Sequence, residues 1–308
     1  MQTSLSARLR ASVSVVAASA LLAGCGGLGA GDDEGVGPRV VTSFYPLQYV
    51  AERVAGDHAQ VSNLTAPGAE PHDLELTVRQ TASIADADLV VVHSGFQPAV
   101  DEAVEQSGPD DVVDTAEVIA LVESEEEHAE DDQEHEGGDP HFWLDPTLLA
   151  RAAEAVADEL AVADPGHAED FRANLDELTA DLEELDRDYA EGLAGCDTQD
   201  VVVSHDAFAY LETYGLHFES IAGLSPDQEP SPARLAELAD LIEGSAITTV
   251  FTETLASPAL SETLAGDLGL ETAVLDPIEG LSDATAGEDY LSLMRQNLAA
   301  LRTANGCT

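Results

Sequence analysis

The stretch V-R-Q-T-A-S-I-A-D-A-D-L-V-V-V-H-S-G-F-Q-P-A-V-D-E-A-V-E-Q, residues 78 to 106, decides the fold class. Val78 to Ala85 has helical spacing. Leu89 to Val92 is an unbroken apolar run, too short for a helix and bounded by Asp88 and Ser94-Gly95, and Pro98 to Gln106 returns to a helical pattern. A strand that is apolar at every position is buried on both faces, as happens when helices cover both sides of a parallel sheet. The same alternation extends upstream, with strands at Val40 to Ser43 and Val61 to Leu64 separated by a helix from Leu47 to Ala55. It resumes after residue 198 with strands at Val201 to Ser204, Thr249 to Thr252 and Thr272 to Leu275. The sequence therefore predicts two α/β lobes, each a parallel sheet flanked by helices.

Residues 147 to 194 carry a nearly continuous helical pattern, broken at Asp164-Pro165-Gly166. Phe171, Leu175, Leu178, Leu182 and Leu185 recur at three- and four-residue spacing, so one long helix packing on both lobes is expected. The organisation read along the chain is a signal peptide at 1–24, a cysteine and flexible tether at 25–38, a first lobe at 39–164, a linking helix at 165–195 and a second lobe at 196–308. At the start, Arg8 and Arg10 precede an apolar run from Ala11 to Leu22 that ends in Leu22-Ala23-Gly24-Cys25. That run is shorter than the roughly 20 residues of a spanning helix. It resembles a bacterial lipoprotein signal, which implies that Cys25 becomes a lipidated N-terminus anchored to the plasma membrane, outside the cytoplasm. In that oxidising setting Cys196 and Cys307 are expected to form a disulfide.

Charge excludes one class of partner. The chain has 61 acidic residues against 11 basic ones, all arginine. A field this negative repels nucleic-acid backbones and concentrates cations near the surface. The densest acidic segment, residues 123 to 139, holds ten carboxylates with His128 and His135 and has no apolar side chain larger than alanine. It cannot form a core. It reads as a solvated loop or as a loop that collects metal ions through nitrogen and oxygen ligands.

Three histidines stand where one element gives way to the next: His72 after Pro67-Gly68-Ala69-Glu70-Pro71, His141 in Asp139-Pro140-His141-Phe142-Trp143, and His205 after the strand ending at Ser204. Ligands of open α/β sheets lie beyond the carboxyl ends of the strands, so a cleft between the lobes would gather such residues. Asp276, after the strand at 272–275, occupies the same kind of position. Three imidazoles and one carboxylate point to zinc, with manganese or iron as the runner-up and water as an alternative to Asp276 in the fourth place. Glu70, Asp206 and Glu253 are candidates for orienting the imidazoles. His58, His167 and His217 read as surface residues and His93 as a structural one. No H-E-x-x-H helix is present, so the residues do not point to a zinc hydrolase.

The motifs P-G-A-E-P-H-D-L-E-L-T (67–77), D-P-H-F-W-L-D-P (139–146), S-H-D-A-F-A-Y-L (204–211), G-L-S-P-D-Q-E-P-S-P (223–232), F-T-E-T-L-A-S-P (251–258) and A-V-L-D-P-I-E-G-L (273–281) resemble, in this order, the zinc-specific receptors of metal ABC importers. The resemblance covers nearly the whole chain after the tether. It implies a monomeric, non-catalytic receptor of two lobes joined by one long helix, with zinc held in the cleft by His72, His141, His205 and Asp276 and passed to a membrane permease. Relatives selective for manganese tend to carry a carboxylate in place of His205, and some relatives act as surface adhesins. Those are the alternative readings.

Overall fold

The computed structural model describes residues 37–119 and 138–308. The signal segment, Cys25, His128 and His135 lie outside the described residues. The first lobe runs β1 (Arg39–Thr42), α1 (Tyr45–Ala55), β2 (Gln60–Asn63), α2 (Val78–Ala85), β3 (Leu89–Val92), α3 (Pro98–Ser107), β4 (Val112–Asp114) and α4 (Thr115–Val118). Its strands are all parallel, in the order β2-β1-β3-β4. α5 (Pro146–Ala163) and α6 (Ala168–Gly192) follow, and the second lobe contains β5 (Asp200–Val203), β6 (His217–Ser220), α7 (Pro232–Gly244), β7 (Thr249–Thr252), α8 (Ala259–Leu268), β8 (Glu271–Val274) and α9 (Tyr290–Asn305). Its sheet, β6-β5-β7-β8, repeats the topology of the first.

Local chemistry sets these boundaries. Thr77 and Gln80 form a reciprocal capping box at the start of α2, and Asp289 with Ser292 does the same for α9. Asp145 accepts from the Thr147 and Leu148 amides at the start of α5, where Pro146 gives up no needed donor. The strand β3 is buried along its whole length, as its unbroken apolar run requires. β4 and β6 are not foreseen by the sequence. Both are short edge strands with partly exposed, mixed residues, so neither carries an apolar run.

The 25 residues of α6 span roughly 37 Å at 1.5 Å per residue. Phe171, Leu178, Leu182, Leu185 and Tyr189 form its buried stripe. The helix packs on α1 of the first lobe and on α9 of the second, and the Tyr189 hydroxyl donates to the Met294 carbonyl at 2.7 Å. One continuous apolar core thus runs from the first sheet through α5 and α6 into the second lobe, with smaller clusters on the outer face of each sheet. A disulfide joins Cys196 to Cys307, tying the end of α9 to the segment that follows α6. Among the described residues no helix is long and apolar enough to cross a membrane.

Candidate metal centre

In each sheet the strand order reverses direction beside the first strand, and the chain ends there open a crevice. In the second lobe His205 and Glu253 leave the ends of the neighbouring strands β5 and β7, one on each side of that reversal. In the first lobe the matching crevice is filled by Phe44 and Phe96, whose rings lie 4.7 Å apart and flank Trp143. Phe96 also packs edge-on to the His72 ring at 4.6 Å. His72 comes from the loop after β2, where Glu70 accepts from the His72 and Asp73 amides at 3.1 Å each. His141 opens the 3₁₀ turn at Phe142–Leu144 ahead of α5.

His72, His141 and His205 converge on Glu279. Their Nε2 atoms lie 3.2, 3.2 and 3.3 Å from Glu279 Oε1, and the side chains are 10%, 0% and 0% exposed. Two residues come from each lobe, so the cluster bridges them. The Nδ1 atoms of two rings are already engaged: that of His141 with Asp139 Oδ1 at 2.7 Å, and that of His205 with Glu253 Oε1 at 2.6 Å. Ser204 also donates to Glu253. A ring that donates through Nδ1 presents a bare lone pair at Nε2 when neutral. Buried lone pairs facing a carboxylate oxygen repel it unless a cation lies between them.

Protons can supply that charge. Burial opposes ionisation of His141 and His205, but the neighbouring carboxylates prevail. Asp139 and Glu279 raise His141 to about 9, and Glu253 and Glu279 raise His205 to about 10. Burial likewise opposes the ionised Glu279, yet the imidazoles hold it well below the ordinary carboxylate range. A metal ion fits the same space. A tetrahedral zinc site with bonds of about 2.0–2.1 Å has ligand–ligand edges of roughly 3.3–3.4 Å. The three nitrogen-to-oxygen separations nearly equal that edge, and the Nε2 atoms of His141 and His205 are buried without a hydrogen-bond partner. Three nitrogens and one carboxylate are a borderline-soft donor set suited to zinc and poorer for manganese.

The carboxylate of this cluster is Glu279, whereas the sequence points to Asp276. Asp276 is turned away: Oδ2 accepts from Thr254 at 2.7 Å and Oδ1 from the Ile278 amide at 2.8 Å. Its backbone N–H and C=O pair with the Asn297 side chain at 2.9 and 2.6 Å. Of the candidates for orienting the rings, Glu253 contacts His205 directly, while Glu70 reaches the backbone of His72 rather than its ring. Asp206 is half-buried, and desolvation followed by repulsion from Asp139 holds its carboxyl above the usual range. Asp139 is the orienting residue that the sequence reading misses, although its position two residues before His141 offered the signal. His93 is structural: its Nδ1 pairs with the Thr115 hydroxyl at 2.9 Å, its ring stacks on Phe142, and burial pushes it down to about 4.

Two similar lobes, a connecting helix and a buried ion site shared between them define a two-lobed metal-binding receptor. The family described as zinc-uptake complex component A, periplasmic, matches residues 40–304, and the chain belongs to it. The chain is 38% identical over 274 residues to the zinc-binding lipoprotein AdcA of Streptococcus pneumoniae (strain ATCC BAA-255 / R6), covering 85% of this chain but only 55% of that protein. It is 36% identical to the high-affinity zinc uptake system protein ZnuA of Bacillus subtilis (strain 168), covering 94% of this chain and 95% of that one. The crystal structure of the Zn(II)-bound ZnuA-like domain of Streptococcus pneumoniae AdcA superposes with a TM-score of 0.73 at 35% identity, over 87% of this chain and 99% of that one. The family consists of solute-binding proteins rather than enzymes.

Proposed function

We propose that this chain is an extracytoplasmic, lipid-anchored, monomeric receptor that captures Zn2+ between its lobes and delivers it to the permease of an ABC importer. The observation that carries the reading is the convergence of three Nε2 atoms on one buried Glu279 oxygen at tetrahedral-edge distance. His72, His141, His205 and Glu279 serve as the ligands. Asp139 and Glu253 fix the tautomers of two of them, and Phe96 and Trp143 close the apolar side of the site. Zinc displaces the protons that the metal-free imidazoles hold, and the ion's charge replaces theirs beside Glu279. Release follows when docking on the permease parts the lobes. The acidic segment at 123–139 collects ions and raises their concentration near the cleft.

The test is a chelator competition comparing zinc with manganese on the chain lacking residues 123–136, which keeps Asp139 against His141. One tight zinc equivalent, lost in His205→Ala, is the expected result. Preference for manganese, or loss of tight binding on removing the segment, would overturn the reading.

A further inference from the structure

His58 and His167 are 109 positions apart and each reads as an isolated surface residue, yet the fold stacks their rings 3.9 Å apart at an interplanar angle of 18°. His58 closes the short 3₁₀ turn between α1 and β2, and His167 immediately precedes α6. This is the edge of the first sheet where its parallel strands begin, opposite the strand ends that carry the cleft. Asp170, in the first turn of α6, places Oδ2 3.4 Å from His58 Nε2. His58, His167 and Asp170 each bring one ligand atom within 4.8 Å of the others.

We propose that His58, His167 and Asp170 form a second zinc site on the outer end of the first lobe, separate from the cleft. Asp164 Oδ2 binds His167 Nδ1 at 2.6 Å, which leaves Nε2 as that ring's ligand atom. The hydrogen bond from His167 is the main reason the Asp164 carboxyl sits below its usual range. The 3.4 Å separation of His58 from Asp170 is close to one edge, roughly 3.3–3.4 Å, of a tetrahedral zinc site, and ligation by both rings requires the half-exposed His58 ring to turn out of the stack, because rings inclined at only 18° do not aim their nitrogens at one point. Two imidazoles and two carboxylates, one ligating and one orienting, balance the charge of a divalent ion. The donor set is the borderline one that selects zinc over calcium or magnesium.

The scaffold is firm on both sides. Asn174 of α6 donates to the Val54 carbonyl at 2.9 Å, Gln60 N–H donates to the Pro38 carbonyl at 2.8 Å, and Phe171 lies fully buried beneath both rings. The side chains of His58, His167 and Asp170 remain 33%, 43% and 59% exposed, so an ion and one or two waters have access. A bound ion would tie the segment that follows α1 to the start of α6.

Zinc titration of the full chain carrying His128→Gln and His135→Gln tests this, because imidazoles of the acidic segment then contribute nothing. The expected result is two equivalents, the tighter from the cleft. His58→Gln and His167→Gln should each weaken the second by tenfold or more, and Asp164→Asn by about tenfold, with the first unchanged. Absence of a second equivalent, or one indifferent to these substitutions, overturns the proposal and leaves a metal-free pair of stacked rings. If the substitutions unfold the chain, the unsubstituted rings decide the matter by NMR. Ring-proton resonances of His58 and His167 that shift with the second equivalent uphold the site, and resonances that stay fixed refute it.

Discussion

Zinc capture should release about two protons at pH 7, because His141 is raised to about 9 and His205 to about 10 in the metal-free cleft. At pH 7 both rings are at least about 99% protonated on these values, whereas Glu279, held well below its ordinary range, has no proton to lose. Each ring must be neutral to ligate, so apparent affinity rises about hundredfold per pH unit, or about 2.7 kcal/mol, between pH 7 and 8.5. The slope falls to tenfold per unit above about 9 and flattens above about 10. Stability of the metal-free chain runs the other way. A histidine raised on folding contributes stability that is fully present below its unfolded value of about 6.5, and that contribution is lost as pH climbs through about 9 and 10. Chelator competition over this pH range, with calorimetry in buffers of different ionisation enthalpy, measures the proton count. A slope near zero would refute the reasoning, since it would mean that the metal-free imidazoles are already neutral beside three carboxylates.

Glu279→Gln should abolish tight zinc binding, whereas Asp276→Asn should retain one equivalent and lower thermal stability by about 1–3 kcal/mol through its weakened grip on Thr254 and Ile278. Zinc competition and thermal unfolding of the two variants separate ligand from support. Glu253→Gln, which removes the charge beside His205, should cost about 10–100-fold in zinc affinity above pH 10, where proton competition no longer masks the effect. Cys307→Ser opens a loop closed over a separation of 111 residues and should lower unfolding stability by up to roughly 5 kcal/mol on the chain-entropy model, as read by denaturant titration of the metal-free chain.

The fold was legible wherever burial wrote itself into one continuous segment. Leu89 to Val92 and Val201 to Val203 are apolar because helices cover both faces, and the stripe from Phe171 to Leu185 is apolar because two lobes pack on it. The edge strands at Val112 and His217 were not legible, since half-exposed residues carry no such pattern. His72, His141 and His205 could be found because each stands where an element ends. Choosing between Asp276 and Glu279 could not be done from spacing. They are three residues apart in one loop, and their order along the chain does not show which one the backbone turns toward the imidazoles. The pairing of His58 with His167 was equally hidden, because only the packing of α6 against the turn after α1 brings them together.

Between Asp276 and Glu279 lies Ile278, the only residue other than glycine with positive φ among the described residues, at 59°. A β-branched side chain in the left-handed region costs on the order of 1–3 kcal/mol, so its neighbours must hold it there. Asp276 Oδ1 accepts the Ile278 amide, Asn297 grips the Asp276 backbone from both sides, and the Ile278 side chain is fully buried. The Pro277 carbonyl accepts from Trp143 Nε1 at 2.7 Å, so a residue two places after His141 pins the loop that presents Glu279. Beyond the turn, a Cβ on Gly280 would come within 3.1 Å of Leu255, which leaves the chain no room for a larger residue without displacing it. Through its bonds to Thr254 and the Ile278 amide the Asp276 carboxylate supports the strained turn that aims the next acidic residue at the histidines. Because that turn is also bonded to Trp143 of the other half of the cleft, Glu279 Oε1 is held 3.2–3.3 Å from the three Nε2 atoms, an arrangement that would lower the ordering cost of capturing an ion. The same hydrogen bond joins the two halves of the cleft, so a parting of the lobes would have to separate Trp143 from Pro277.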